Sequence, residues 1–302
     1  MDMKQLYLGG LIALLVSCKE QDLLLETEKE VLPMRVEASI AQDAKSARTA
    51  MSGENAISFS ENDCIGLFVP WESTARKWTY NGTTWTSAQS VYWKDKENSY
   101  TFYAYYPGGE EVAVSVNSVP MPDLSSQEGT IAGLAKYDFL VASTIAKYST
   151  TNNGTLSFTE SDAFQHVLSR ITFSFDKSSM DDAVQLQSIR LDSNALSANN
   201  TCNLTTKKIS SITNSQHEIL SNIVAEKSEM LVHPISNATV TLSVVYQINS
   251  ANVTVSKEIS NFSLQMGSRH TMSVKIEQGT LKISEATIAP WGEGSTLNDV
   301  TL

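Results

Sequence analysis

Four histidines, His166, His217, His233 and His270, are the side chains best suited to proton transfer near neutral pH. General acid–base work, nucleophilic attack and metal binding each need such a group brought together with a second functional side chain. None of the four stands at a metal-ligand spacing from another. No G-x-S-x-G, H-E-x-x-H or phosphate-cradling glycine loop occurs. His166 sits at the entry of an apolar strand pattern and His233 precedes Pro234, so each histidine reads as a hydrogen-bonded structural residue. The pairs Glu110-Glu111 and Asp181-Asp182 read as solvated turns, and nothing else points to a paired-carboxylate hydrolase. The expectation is a chain that is not an enzyme, with no cofactor and no metal. Trp71, Trp78, Trp85 and Trp93 form the other concentration of functional side-chain types. Exposed, they would make a platform for sugars or peptides. Placed on strands, they would cover one end of a core, which the strand preference of aromatics favours.

A different chemistry is written at the start of the chain. Lys4 is followed by the largely apolar run from Leu6 to Val16, then Ser17-Cys18, then the polar Lys19-Glu20-Gln21-Asp22. That order fits an export signal. The run is too short to span a bilayer, which takes roughly 20 apolar residues. Leu15-Val16-Ser17-Cys18 resembles the lipobox of bacterial lipoproteins. The resemblance implies removal of residues 1–17 and acylation of Cys18, with outer-membrane lipid as a partner. Two or more acyl chains hold a protein stably, because each buried methylene contributes only about 0.8 kcal/mol. Cys64 and Cys202 remain. They could form one disulfide in an oxidising compartment, but assigned to different domains they read as two buried free thiols.

The body of the chain must position whatever function it has. Its 302 residues fit two domains of ordinary size. Net charge is −11, from 22 Lys and Arg against 33 Asp and Glu, which argues against a nucleic-acid partner. Residues 18–32 form a charged tether. From Met34 onward, Thr, Ser, Val and Ile alternate and are punctuated by Asn, Gly, Asp and Ser, a strand-like pattern throughout. Met34 to Ile40 reads as a first strand with Val36, Ala38 and Ile40 on one face. Residues 41–56 read as a polar loop. Cys64 to Val69 is a buried strand. Asn81-Gly82 signals a two-residue hairpin turn that would set Tyr80 opposite Thr83 and Trp78 opposite Trp85. Residues 117–133 read as a long loop. Further strands are expected around 137–143, 167–175, 186–191, 229–232, 239–248, 253–259, 271–276 and 281–288. No sequence repeat at a fixed period is found. The expected fold class is all-β, with two tandem β-sandwiches over residues 33–157 and 158–302.

Taken in order, these elements resemble the fimbrillin-like (Mfa-like and FimA-like) surface lipoproteins of Bacteroidales. The likeness rests on the lipobox and tether, Met34 to Ile40, Arg48-Thr49, Asp63 with Ile65-Gly66-Leu67-Phe68, and Tyr100-x-Phe102-x-Ala104-Tyr105-Tyr106-Pro107. It continues through Phe164-x-His166-x-Leu168-Ser169-Arg170-Ile171-x-Phe173, His233-Pro234, Leu264-x-x-Gly267-x-x-x-Thr271 and Ile288-x-Pro290-Trp291. The resemblance implies two transthyretin-like sandwiches and a structural, tip or accessory subunit of surface fimbriae that contributes to adhesion. It implies a location at the cell outer membrane and, after processing, in the fimbrium. It implies cleavage after Arg48, before Thr49, by an arginine-specific surface protease. The first strand then leaves, with Val36, Ala38 and Ile40 as its groove plug, and other fimbrial subunits supply a replacement strand. If Leu281 to Ile288 is held in its own sheet, the chain is expected at a tip or outside a fibre. The alternative is a monomeric outer-membrane lipoprotein that binds glycans through Trp71, Trp78, Trp85 or Trp93.

Overall fold

β-branched and aromatic residues at alternate positions make strands wherever one face can be buried. The computed structural model describes residues 30–41, 58–108, 115–180, 183–213, 215–277 and 280–290, the last seven by their backbone only. The first half holds β1 (Arg35–Ala38), β2 (Cys64–Phe68), β3 (Arg76–Tyr80), β4 (Trp85–Thr86), β5 (Tyr100–Tyr106), β6 (Val119–Pro120) and β7 (Ser126–Gln127). A single-turn helix α1 (Ile131–Leu134), β8 (Leu140–Ala146), β9 (Thr155–Phe158) and β10 (Gln165–His166) follow. The second half holds β11 (Ser169–Asp176), β12 (Gln185–Asp192), β13 (Asn200–Asn203), β14 (Lys208–Ser211), β15 (Glu218–Asn222) and β16 (Lys227–Val232). It ends in four long strands, β17 (Ile235–Ile248), β18 (Ala251–Leu264), β19 (Ser268–Glu277) and β20 (Thr280–Pro290). The fold is all-β, as the alternation predicts.

One sheet runs in the order β10-β8-β5-β2-β3-β4, and β1 pairs separately with β9. In the second half, β16-β11-β19-β20 and β18-β17-β12-β15-β7 form two larger sheets, with β14-β13-β6 beside them. Two hydrophobic clusters result. The first gathers Ile65 and Leu67 from β2, Phe102 and Ala104 from β5, and Leu156 and Phe158 from β9. The second gathers Ile171, Phe173 and Phe175 from β11 with Ile189, Leu191, Val240, Leu242 and Met272 from its neighbours.

β5 serves both clusters, because Tyr105 points away from Phe102 and Ala104 into the second, stacked on Phe139 with ring centroids 6.0 Å apart. Its partner across the ladder is Gly66. A Cβ there would lie 2.1 Å from the Tyr105 ring, so only glycine lets that ring cross β2.

Residues 117–133, expected to be loop, carry β6, β7 and α1 instead. β6 pairs with β13 and β7 with β15, so this segment joins the second cluster through Val119, Leu124 and Leu134. Two-residue ladders of this kind carry no periodicity for a sequence to display. The Asn81 turn also differs from expectation. Tyr80 faces Trp85 and Thr79 faces Thr86, so the loop has two residues more than a tight Asn-Gly turn. The Asn81 side chain closes it by accepting from the Thr83 and Thr84 amides at 3.0 and 2.8 Å, a contact that competes with the tighter turn.

The histidines are held as structural residues. His233 Nε2 accepts from the Ser197 amide at 2.8 Å, and His270 Nε2 accepts from the Gln265 amide at 3.2 Å. His217 Nδ1 meets the Leu196 carbonyl at 2.7 Å, and His166 Nδ1 lies 2.9 Å from Asp138 Oδ2. Burial lowers the His270 pKa from 6.5 to about 4. The unfolded chain takes up that proton first, so stability is full above pH 6.5 and falls as pH drops towards 4. Melting temperature measured across pH 6.5 to 4 should fall less steeply for His270→Gln than for the parent chain.

Candidate functional site

Leu32 to Ala41 forms a ribbon with its own binding slot. Leu32, Met34, Val36 and Ile40 face inward and are only 5–8 % exposed, Ala38 is half-buried, and Arg35 and Glu37 face solvent. Alternation thus divides the ribbon into a greasy edge and a wet one. Full burial of each large aliphatic side chain contributes about 1.5–3 kcal/mol.

The slot has two walls. On one side β1 runs parallel to β9, with Arg35 opposite Thr155, Val36 opposite Leu156, Glu37 opposite Ser157 and Ala38 opposite Phe158. The Arg35 amide donates to the Gly154 carbonyl at 3.1 Å and the Ser39 amide to the Phe158 carbonyl at 3.0 Å. Further on, the Ala41 amide donates to the Phe164 carbonyl at 2.7 Å, and the Phe164 amide returns a bond to Ser39 at 2.9 Å. On the other side the Met34 amide donates to the Val91 carbonyl and the Trp93 amide to the Leu32 carbonyl, each at 2.8 Å. The buried rings of Phe158 and Phe164, 5.8 Å apart, belong to the same cluster as the ribbon's inward side chains.

Gly154 is the tightest point of the wall. Its φ is +75°, and a Cβ there would lie 2.4 Å from the Pro33 carbonyl oxygen. Its own carbonyl also accepts from Trp93 Nε1 at 2.9 Å. Asn152-Asn153-Gly154 reads in sequence as an ordinary turn, and nothing local marks it as the seat of a distant strand. Leu32, Met34 and Phe164 were likewise missed as slot residues, since pairing between β1 and β9 joins segments far apart in the chain.

Of the residues expected as a plug, Val36 and Ile40 are buried and Ala38 is half-buried on the ribbon's inward face, while Cys18, Arg48 and Thr49 lie outside the described residues. The tryptophans require a correction as platform candidates. Trp78, Trp85 and Trp93 are buried, and half-buried Trp71 packs edge-on against Tyr100 and Phe102. Their faces are spent on the core, because a small sheet needs large side chains to close its end. Cys64 and Cys202 are both free, and burial pushes the Cys202 thiol up to about 12. Among the described residues no cluster of His, Cys, Asp and Glu could hold a metal ion. β20 pairs with β19 along its length and forms the edge of its sheet.

The sequence profile described as fimbrillin-like matches residues 48–291. The chain belongs to the fimbrillin-like family. The matched span begins at Arg48, so the ribbon precedes it. No curated protein matches this fimbrillin-like chain. Among solved structures, it is similar to a protein assigned to cell adhesion from Bacteroides ovatus, at 16% identity and a TM-score of 0.63, over 90% of this chain and 100% of that one. A second such protein, from Bacteroides uniformis, matches at 15% identity and a TM-score of 0.61, over 86% and 99% of the two chains. A fimbrial protein from Bacteroides vulgatus matches at 14% identity and a TM-score of 0.50, over 86% and 99%. At these identities the likeness is one of fold.

The slot geometry makes a direct prediction. Gly154→Ala places a methyl group against the Pro33 carbonyl at a positive φ, which costs on the order of 1 kcal/mol or more. Amide exchange at Arg35, Ser39 and Ala41 should speed up in that variant by about fivefold or more. Exchange in β17 and β19 should be unchanged.

Proposed function

We propose that this chain is a subunit of cell-surface fimbriae that contributes to adhesion, made as a lipoprotein precursor and assembled by donor-strand exchange. On this reading Cys18 is acylated and holds the precursor at the outer membrane. An arginine-specific protease cuts between Arg48 and Thr49, and the ribbon departs. The observation that carries the reading is the ribbon itself. It is a short strand with an inward apolar face and hydrogen bonds to both walls, and the proposed cut lies between it and β2. Losing it would bare a sheet edge and a greasy floor, which is costly in water. A strand from another subunit restores both, the logic of strand addition. The two hydrophobic clusters support a division into two sandwiches close to residue 166, later than the expected 157, because Phe158 and Phe164 lie in the first cluster and β10 pairs with β8, with residues 119–139 reaching across to the second. The alternative of glycan binding through tryptophans loses its support, since three of the four are buried and Trp71 packs against the core.

The test is controlled cleavage. The mature chain cut once after Arg48 should give, on size-exclusion chromatography, oligomers with itself or with a partner subunit. Arg48→Ala, treated identically, should stay monomeric. Cleaved chain that loses the ribbon yet remains a folded monomer with every subunit offered would overturn the reading.

A further inference from the structure

Two clefts lie against the ribbon, and Glu160 lines both. The first, about 440 Å³, is bounded by the ribbon from Ala38 to Ala41, by Phe59 and by Tyr80. The second, about 400 Å³, takes Glu37 from the ribbon's wet edge, Asp162, and Thr and Ser hydroxyls from β8, β9 and the turns around them. Each has the size of a small-molecule site. Neither is lined by Lys, Arg or His.

The lining selects the chemistry of a ligand. Ionised, Glu37, Glu160 and Asp162 accept hydrogen bonds and cannot donate them. Among the described residues none of the three forms an ion pair. Thr144 Oγ1 donates to Asp162 Oδ2 at 2.6 Å, which holds that carboxylate in place, and Ser157 Oγ stands 2.7 Å from Thr159 Oγ1. A phosphate, sulfate or carboxylate ligand would meet like charge here with no cation to receive it. A ligand rich in O–H donors would find carboxylate and hydroxyl partners, and hydrogen bonds to carboxylates are the stronger class. In the first cleft Phe59 and Tyr80 are half-buried and packed on Trp85, with ring centroids 5.0 and 5.2 Å from it. Such rings offer apolar area for a C–H surface. Ile145, 72% exposed, gives the second cleft an apolar patch of its own. Hydroxyl acceptors beside apolar surface suit a molecule that presents both O–H groups and C–H faces, which is a sugar.

We propose that these two clefts bind a neutral glycan, with Glu160 accepting from sugar hydroxyls where the clefts adjoin. This rests on the adhesion reading above and names its ligand class and its site. The site is distinct from the tryptophan platform, whose side chains are spent on the core. Glu37 and the Ala38 to Ala41 stretch belong to the ribbon, while Tyr80, Glu160 and Asp162 belong to the body. The glycan therefore touches ribbon and body at once. A ligand that binds only the assembled state stabilises it by mass action, so the glycan holds the ribbon in its slot and departure of the ribbon weakens the glycan's hold.

The test uses the uncut mature chain, biotinylated and tetramerised on streptavidin so that weak single-site binding is raised by avidity. The probes are an array of neutral, sialylated and sulfated glycans, with calcium chloride and trilysine as cation controls. Neutral glycans should be retained and acidic ones should not. Glu160→Gln should weaken retention at least tenfold and Glu37→Gln at least threefold, each at an unchanged melting temperature. Amide exchange at Ser39 and Ala41 should slow as the retained glycan is added. Retention of no neutral glycan, a preference for acidic glycans, or equal retention by Glu160→Gln would overturn the inference. So would binding of calcium or trilysine at Glu160 in place of any glycan. Because the chain is uncut, such a failure leaves the strand-exchange reading standing, and a failure of the cleavage test leaves the glycan site standing.

Discussion

A strand that closes one side of a core must pair its backbone with its neighbours and cover that core with alternate side chains. Everything distinctive in this chain follows from assigning that task, at one place in the first half, to a segment from the extreme N-terminal side of the fold. Four buried side chains and hydrogen bonds to both walls hold Leu32 to Ala41 in position. The slot is built by β9, the Val91–Trp93 segment and the rings of Phe158 and Phe164, so its shape belongs to the remainder of the molecule.

The remainder is built to stand with few polar demands. His217, His233 and His270 meet backbone groups and His166 meets the Asp138 carboxylate, and Cys202 is a buried thiol with no ionic neighbour strong enough to offset burial. Arg170 Nε meets Glu229 Oε2 at 2.9 Å inside the second cluster, with Thr172 bonding the same oxygen. A buried pair satisfied in this way specifies an arrangement more than it stabilises one.

How much of this was legible beforehand depended on locality. Alternation exposed β5, β11, β17 and β19, where buried side chains recur along one face, and an apolar run exposed β2. It also exposed the inward set Val36, Ala38 and Ile40. It could not expose β6, β7, β9 or β10, whose two to four residues are strands only because a distant partner exists. The Asn81 loop misled because its side chain bonds the backbone in place of the tight turn that Asn-Gly permits. The tryptophans were ambiguous for a similar reason. Their type marks them as contact residues, and only the surrounding sheet decides whether the contact is with solvent-borne ligand or with the core.

The central claim is that the ribbon is a separable strand seated in a slot that exists without it. Native mass spectrometry of chain cleaved once between Ala41 and Ser58, taken along a urea series with far-ultraviolet circular dichroism, measures this directly. The account predicts that the ribbon fragment stays bound after cleavage and is lost in one step at a urea concentration where the remaining strands are still folded. Loss of the fragment immediately on cutting, or only together with global unfolding, would contradict it.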